Sequence, residues 1–135
     1  MFYRIKEIEG IGVDYAWTLE KAGITTTEHL LAKAHDPKAL ARLAAQTGIG
    51  EKYLAQWVAM ADLMRVRGIG RQYSELLMAV GVNSSQKLLA MNPQELVRLM
   101  EGQRKARKLV GGVPKLVEVE QWLKELRAPM FAHAK

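Results

Sequence analysis

Two Gly-Ile-Gly triplets, Gly10-Ile11-Gly12 and Gly68-Ile69-Gly70, are the residues of this chain best suited to hold an anion. Glycines permit the positive φ values of a tight turn. Successive backbone N–H groups in such a turn form a concavity that takes a phosphate, and the N-terminus of a following helix adds unsatisfied donors and partial positive charge. The side chain between the glycines must anchor the turn by burial, a role that fits Ile11 and Ile69. The charges around the two copies differ. Glu7 and Glu9 precede the first triplet and Asp14 follows it, and a carboxylate beside a phosphate is repulsive. Arg65, Arg67 and Arg71 surround the second, with no acid nearby before Glu75. The first copy reads as structural. The second reads as the phosphate binder, with Gly68, Ile69 and Gly70 supplying backbone and the three arginines supplying charge.

Arg104, Lys105, Arg107 and Lys108 form a second basic group. It is either a solvated helix face or a phosphate-tracking surface beside the second triplet, the kind of basic footprint that nucleic-acid binders carry. Trp17 falls off the apolar stripe of its own helix (Tyr15/Ala16, Leu19, Ala22) and aligns with Glu75 of the second copy. It therefore packs against the other half of the molecule, the expected arrangement, or is exposed as a contact for a partner, since tryptophan is favoured at interface centres.

The elements that position these residues are themselves duplicated. Tyr15, Leu19, Gly23 and Leu30-Leu31-Ala32 recur as Tyr73, Leu77, Gly81 and Leu88-Leu89-Ala90, each pair 58 positions apart like the glycines. Between 5–34 and 63–92, nine of thirty positions are identical without a gap. One supersecondary unit is used twice. The expected units span residues 1–61 and 62–127, each about 60 residues, packed as one compact domain and followed by a frayed tail over 128–135.

Within each unit the pattern predicts helices only, so the fold class is all-α. Apolar residues at Phe2, Ile5 and Ile8 predict a first helix over 2–8, and a second runs from Val13 to Ala22 with Gly23 as its C-cap. Thr25-x-x-Glu28 and Asn83-x-x-Gln86 read as capping boxes. Asp36-Pro37 and Asn92-Pro93 pair an N-cap residue with proline at the first helical position. Gly48-Ile49-Gly50 and Gly111-Gly112-Val113-Pro114 mark a further turn in each unit, before closing helices that carry Trp57 and Trp122. The first closing helix should extend from Glu51 to about Val66. The tryptophans are 65 positions apart, so seven extra residues are expected within 94–109.

Composition narrows the function. Zero cysteines exclude disulfides and thiolate metal sites, and fit a cytoplasmic protein. No apolar run reaches the roughly 18 residues of a membrane span, and no apolar signal core opens the chain. The formal charge of +6 lies wholly in the second half: residues 1–61 hold seven Lys/Arg and seven Asp/Glu, residues 62–135 thirteen and seven. Such asymmetry points to a polyanion partner on one side. His29, His35 and His133 lack metal-ligand spacing, and no nucleophile elbow, P-loop lysine or carboxylate pair is present. A non-enzymatic protein with no cofactor and no metal is expected.

Gly-Ile-Gly followed by a small residue (Ala16, Ser74) and then leucine (Leu19, Leu77) resembles the helix-hairpin-helix motif. With Gly23-Ile24-Thr25-Thr26 and Gly48-Ile49 added, the pattern is similar to the N-terminal helix-hairpin-helix domain of RadA-type recombinases. Over residues 3–127 the chain resembles an uncharacterised bacterial family of tandem helix-hairpin-helix proteins, known only as a domain of unknown function. The resemblance implies two tandem helix-hairpin-helix repeats and sequence-nonspecific binding of double-stranded DNA through its backbone. It also implies a lysine soon after the second glycine, where this chain has Asp14 and Gln72. Gly12-Val13-Asp14 matches the catalytic segment of helix-hairpin-helix glycosylases only superficially. The leading expectation is therefore nonspecific duplex DNA binding. A protein-interaction adaptor using Trp17 or the surface near Met64, Met78, Met91 and Met100, and a structured-RNA factor, are the alternatives.

Overall fold

Capping chemistry sets the helix boundaries. The computed structural model describes residues 2–107 and 112–128. It contains α1 (Val13–Lys21), α2 (Thr27–Lys33), α3 (Pro37–Thr47), α4 (Glu51–Leu63), α5 (Arg71–Ala79), α6 (Ser85–Leu89), α7 (Pro93–Ala106) and α8 (Leu116–Arg127). Side-chain oxygens open four of them by accepting a first-turn N–H: Thr26 from His29, Asp36 from Ala39, Ser84 from Lys87 and Asn92 from Glu95. Proline occupies the first turn of α3 and α7, as Asp36-Pro37 and Asn92-Pro93 require. Glycine stands instead at the N-caps of α1, α4 and α5, namely Gly12, Gly50 and Gly70, with no side-chain cap. Among the described residues the protein is all-helical and compact, with one isolated bridge between Arg4 and Thr26.

Four expected boundaries move. The capping residues of α2 and α6 are Thr26 and Ser84, each one position beyond Thr25 and Asn83. Thr25 is otherwise engaged: its N–H donates to His29 Nδ1 and its carbonyl accepts from Ile5 N–H. The helix expected over 2–8 is reduced to a single 3-10 turn, Ile5–Glu7. Its backbone groups are claimed by the segment before α2. Tyr3 N–H donates to Thr27 Oγ1, and Thr27 N–H returns a bond to the Tyr3 carbonyl at 2.8 Å. A backbone group spent on a neighbouring segment cannot close an α-helical turn. Finally, α4 ends at Leu63 rather than near Val66, where Val66 N–H bonds to the Leu63 carbonyl and tightens the chain into the next turn.

The buried side chains fall in two clusters. One runs from Ile5 through Leu19, Leu30 and Leu54 to Trp57 and Met64; the other from Leu63 through Ile69, Leu77 and Leu96 to Trp122 and Leu126. Met78 packs against both. Met64 and Met100 are core, while Met78 and Met91 are half-buried. In the first cluster α2 and α3 lie on α4. In the second α6 and α7 lie on α8, with α5 against α7. α7 is 14 residues long and α3 only 11. α7 ends at Ala106 and α8 begins at Leu116, so the added length lies between the start of α7 and the start of α8. Gly111 of the second expected turn lies outside the described residues, as does 129–135 of the tail.

Candidate nucleic-acid interface

The Gly-Ile-Gly turns at 10–12 and 68–70 share one internal geometry. Gly10 and Gly68 adopt φ +97° and +95°, the left-handed region. A Cβ placed on Gly10 would come within 3.2 Å of Trp57 Nε1, and one on Gly68 within 3.1 Å of Trp122 Nε1. Only a residue without a side chain satisfies both the dihedral and the approach of the indole. Ile11 and Ile69 are buried, and both tryptophans are nearly fully enclosed. Tyr15 meets Trp57 edge-on at 5.0 Å between ring centroids, and Tyr73 lies 5.6 Å from Trp122. Each turn is thus braced from beneath by an indole.

At the second turn the chain leaves buried Ile69 and enters α5 at Arg71, with Gly70 at the N-cap and no side-chain cap. The charged residues around it are arranged unevenly. Arg67 is exposed, and its backbone N–H donates to Glu125 Oε2 at 2.9 Å, tying the turn to α8. Arg71 is half-exposed and donates through Nε to Glu9 Oε2 at 2.6 Å, a pair 62 residues apart in sequence. This bond, with the further charges of Glu7 and Glu75, raises the guanidinium pKa. Arg65 is largely enclosed, at 12% side-chain exposure, and its Nη2 lies 2.7 Å from Asp62 Oδ1.

In the second basic group, Arg104 is paired with Glu101 at 2.7 Å on the same helix, which holds the Glu101 carboxyl below its ordinary pKa. Arg107 Nε donates to Gln103 Oε1, and Lys105 is exposed. Lys108 lies outside the described residues. Arg67, Arg71, Lys105 and Arg107 therefore present cationic side chains at the surface, while Arg65 faces Asp62 inside.

The reading that no acid stands near the second turn before Glu75 needs correction. Glu9, read as repulsive to a phosphate at the first turn, sits against Arg71 of the second. The seam between the turns also holds Tyr3, whose hydroxyl donates to the Ile69 carbonyl at 3.4 Å and lies 3.7 Å from a Cβ built on Gly70. Burial, followed by Glu7, raises the Tyr3 pKa, so the phenol stays a donor. No short-range pattern reveals this seam, since its partners are more than sixty residues apart.

Trp17 also differs from expectation. It does not pack across the molecule but is 61% exposed, with Lys21 Nζ 4.2 Å above its ring. One residue beyond buried Ala16, it points away from the helix face that enters the core. A shallow cleft beside it is lined by Thr18, Lys21, Ala22, Gln46 and Thr47. One further residue was overlooked. Lys52, exposed on α4, stands two positions after Gly50, the place held by Asp14 and Gln72 in the other turns. In that Gly48-Ile49-Gly50 turn Gly48 has φ +76° and Ile49 is buried.

Fold and surface together define an all-helical protein whose glycine-rich turns precede helix N-termini that no side chain caps. The chain belongs to the family described as Domain of unknown function (DUF4332), whose model matches residues 9–128. No curated protein and no solved structure matches it. Among the described residues no group of three or more His, Cys, Asp or Glu can hold a metal ion, and no helix is long and apolar enough to cross a membrane.

Proposed function

We propose that this chain is a pair of tandem helix-hairpin-helix repeats, one in residues 1–61 and one in 62–127, that binds double-stranded DNA through its phosphates without sequence preference. The observation that carries the reading is the second turn. There a left-handed Gly68, a buried Ile69 and a glycine-capped α5 sit between the exposed Arg67 and Arg71. Amide donors at a helix start and flanking guanidinium groups are complementary to a phosphate oxygen. Lys105 and Arg107, with Lys108 beyond the described residues, extend the contact along the backbone, whereas Arg65 supports the fold through Asp62. Phosphate contacts position a protein without reading bases, which gives the absence of sequence preference. The reading involves no catalysis and no cofactor, and places the protein in the cytoplasm.

Fluorescence anisotropy of a labelled random-sequence duplex tests it. Wild type binds at low salt, and the Arg67→Glu/Arg71→Glu variant loses most of that binding. Equal binding by the two proteins would remove the second turn from the interface. A structured RNA bound in preference to the duplex would redirect the reading to A-form recognition.

A second reading, a protein-interaction adaptor, is favoured by Trp17. An indole 61% exposed, with Val13 73% exposed one helical turn earlier, is costly surface to leave in water. A single stoichiometric protein partner lost in Trp17→Ala would establish that reading.

A further inference from the structure

The guanidinium best placed to meet a phosphate at the second turn is bonded to a carboxylate from the first. Arg71 Nε donates to Glu9 Oε2 at 2.6 Å. Both side chains are about half-exposed, 51% and 43%, so the pair faces solvent and can open. The pairs Arg65–Asp62, Arg98–Glu95 and Arg104–Glu101 each join residues three apart. Glu9 and Arg71 instead join residues from opposite ends of the duplication. Glu9 is set in place by its buried neighbours Ile8 and Ile11, and Arg71 by its position as the first residue of α5. A carboxylate and a phosphodiester offer an arginine the same feature, a pair of oxygens that share a negative charge. Glu9 engages the Nε–H through one oxygen, so a phosphate that takes the Nε edge of the guanidinium must replace it there.

We propose that Glu9 is a built-in competitor for the phosphate, a stand-in anion that DNA must displace from Arg71; the inference rests on the second turn being the phosphate site. The exchange replaces one charge-assisted hydrogen bond with another. It releases the Glu9 carboxylate to solvent and opens one of the ties between the two turns, leaving the Tyr3–Ile69 bond across the seam. Weak, long and adventitious polyanion contacts do not recover the lost pair, whereas a phosphate seated also on the α5 amides does. The acidic flank of the first turn is then a filter on the second.

The test is duplex binding at low salt by the full chain in five forms: wild type, Glu9→Gln, Arg71→Gln, the Glu9→Gln/Arg71→Gln double variant and Glu20→Gln. Glu20, exposed on α1, makes the same change in net charge. An exposed ion pair is worth little, so Glu9→Gln tightens binding by about two- to fivefold, more than Glu20→Gln does. On the Arg71→Gln background the Glu9 substitution gains no more than Glu20→Gln. A Glu9→Gln gain equal to that of Glu20→Gln, or one that survives without Arg71, overturns the competitor. Wild-type binding with no response to Glu9→Gln overturns the competitor alone. Absence of binding in every form overturns the phosphate site as well, and binding that emerges only in Glu9→Gln supports both.

Discussion

Asp62 accepts the Ser85 N–H through Oδ2 at 2.7 Å, the same bond that the Tyr3 backbone carbonyl accepts from Thr27 N–H at 2.8 Å, 58 residues earlier in the duplication. A carboxylate has taken over from a peptide group. In the first half the N-terminal strand of chain lies extended beside α2 and satisfies it directly. In the second half the corresponding segment is the end of helix α4, and there the Asp62 side chain makes the contact. The same carboxylate receives Arg65 at 2.7 Å and the Ser85 hydroxyl at 3.3 Å.

Removing Asp62 should therefore be expensive. Asp62→Ala withdraws the carboxylate from a guanidinium only 12% exposed and from the start of α6. A loss of about 2–4 kcal/mol is expected, on the scale for breaking a largely buried pair. Urea denaturation with an unchanged m-value checks it, and a loss below about 0.5 kcal/mol would count against this node.

The glycines at the two turns make a sharper comparison. Gly10→Ala and Gly68→Ala each combine a left-handed φ with a methyl about 3 Å from an indole nitrogen. Each should cost about 2–3 kcal/mol, more than the roughly 1–2 kcal/mol of the backbone conformation alone. Gly23→Ala, at φ +87° with nothing within 4 Å, should show only the backbone cost. Gly12→Ala, at φ −84° with open space, should be nearly neutral. Thermal melts of the four variants should fall in that order.

Much of this framework was legible because it is local. Asp36-Pro37 and Asn92-Pro93 start α3 and α7 through local capping chemistry, and the recurring glycines mark the turns at which the chain reverses. Burial of Ile11 and Ile69 follows from their place between two glycines, and that of Trp57 and Trp122 from the apolar stripes of the closing helices. The failures share a different cause. The lost helix at 2–8 and the displaced cap at Thr26 both arise from bonds between residues 3–5 and 25–27, which no windowed pattern contains. Pairing of Glu9 with Arg71 needs the tertiary fold to bring two turns together. The off-stripe position of Trp17 leaves packing and exposure both open in the sequence, and the tertiary fold leaves it exposed with Lys21 over its ring.

Acid sensitivity should report the α3 cap. The Ala39 N–H bond holds the Asp36 carboxyl below its ordinary value of 3.8, with His35 and Arg42 adding to the effect. A group with a depressed folded pKa stabilises above its unfolded pKa and loses that contribution as pH falls through the folded one. Stability should thus decline below about pH 5, and Asp36→Asn, which keeps a capping oxygen, should flatten that part of the profile. Chemical denaturation across pH 2–7 measures it; an unchanged slope would contradict the cap assignment.

Exposure of Trp17 is directly measurable. Iodide should quench one tryptophan readily and leave Trp57 and Trp122 protected, since each is only 2% exposed. Trp17→Phe should abolish the accessible component and alter stability by less than about 0.5 kcal/mol, as expected of a surface site. Retention of the quenchable fraction would mean that a core indole is open.

The central claim, phosphate recognition at the second turn, is tested most directly by the salt dependence of duplex binding. Counterion release gives a slope of log K against log salt of about −0.9 per neutralised phosphate. Arg67, Arg71, Lys105 and Arg107 together therefore predict a wild-type slope of about −2 to −4. Arg67→Gln/Arg71→Gln should make it shallower by about 1 to 2. Binding whose slope is the same in wild type and variant, or no binding at low salt, would contradict the account.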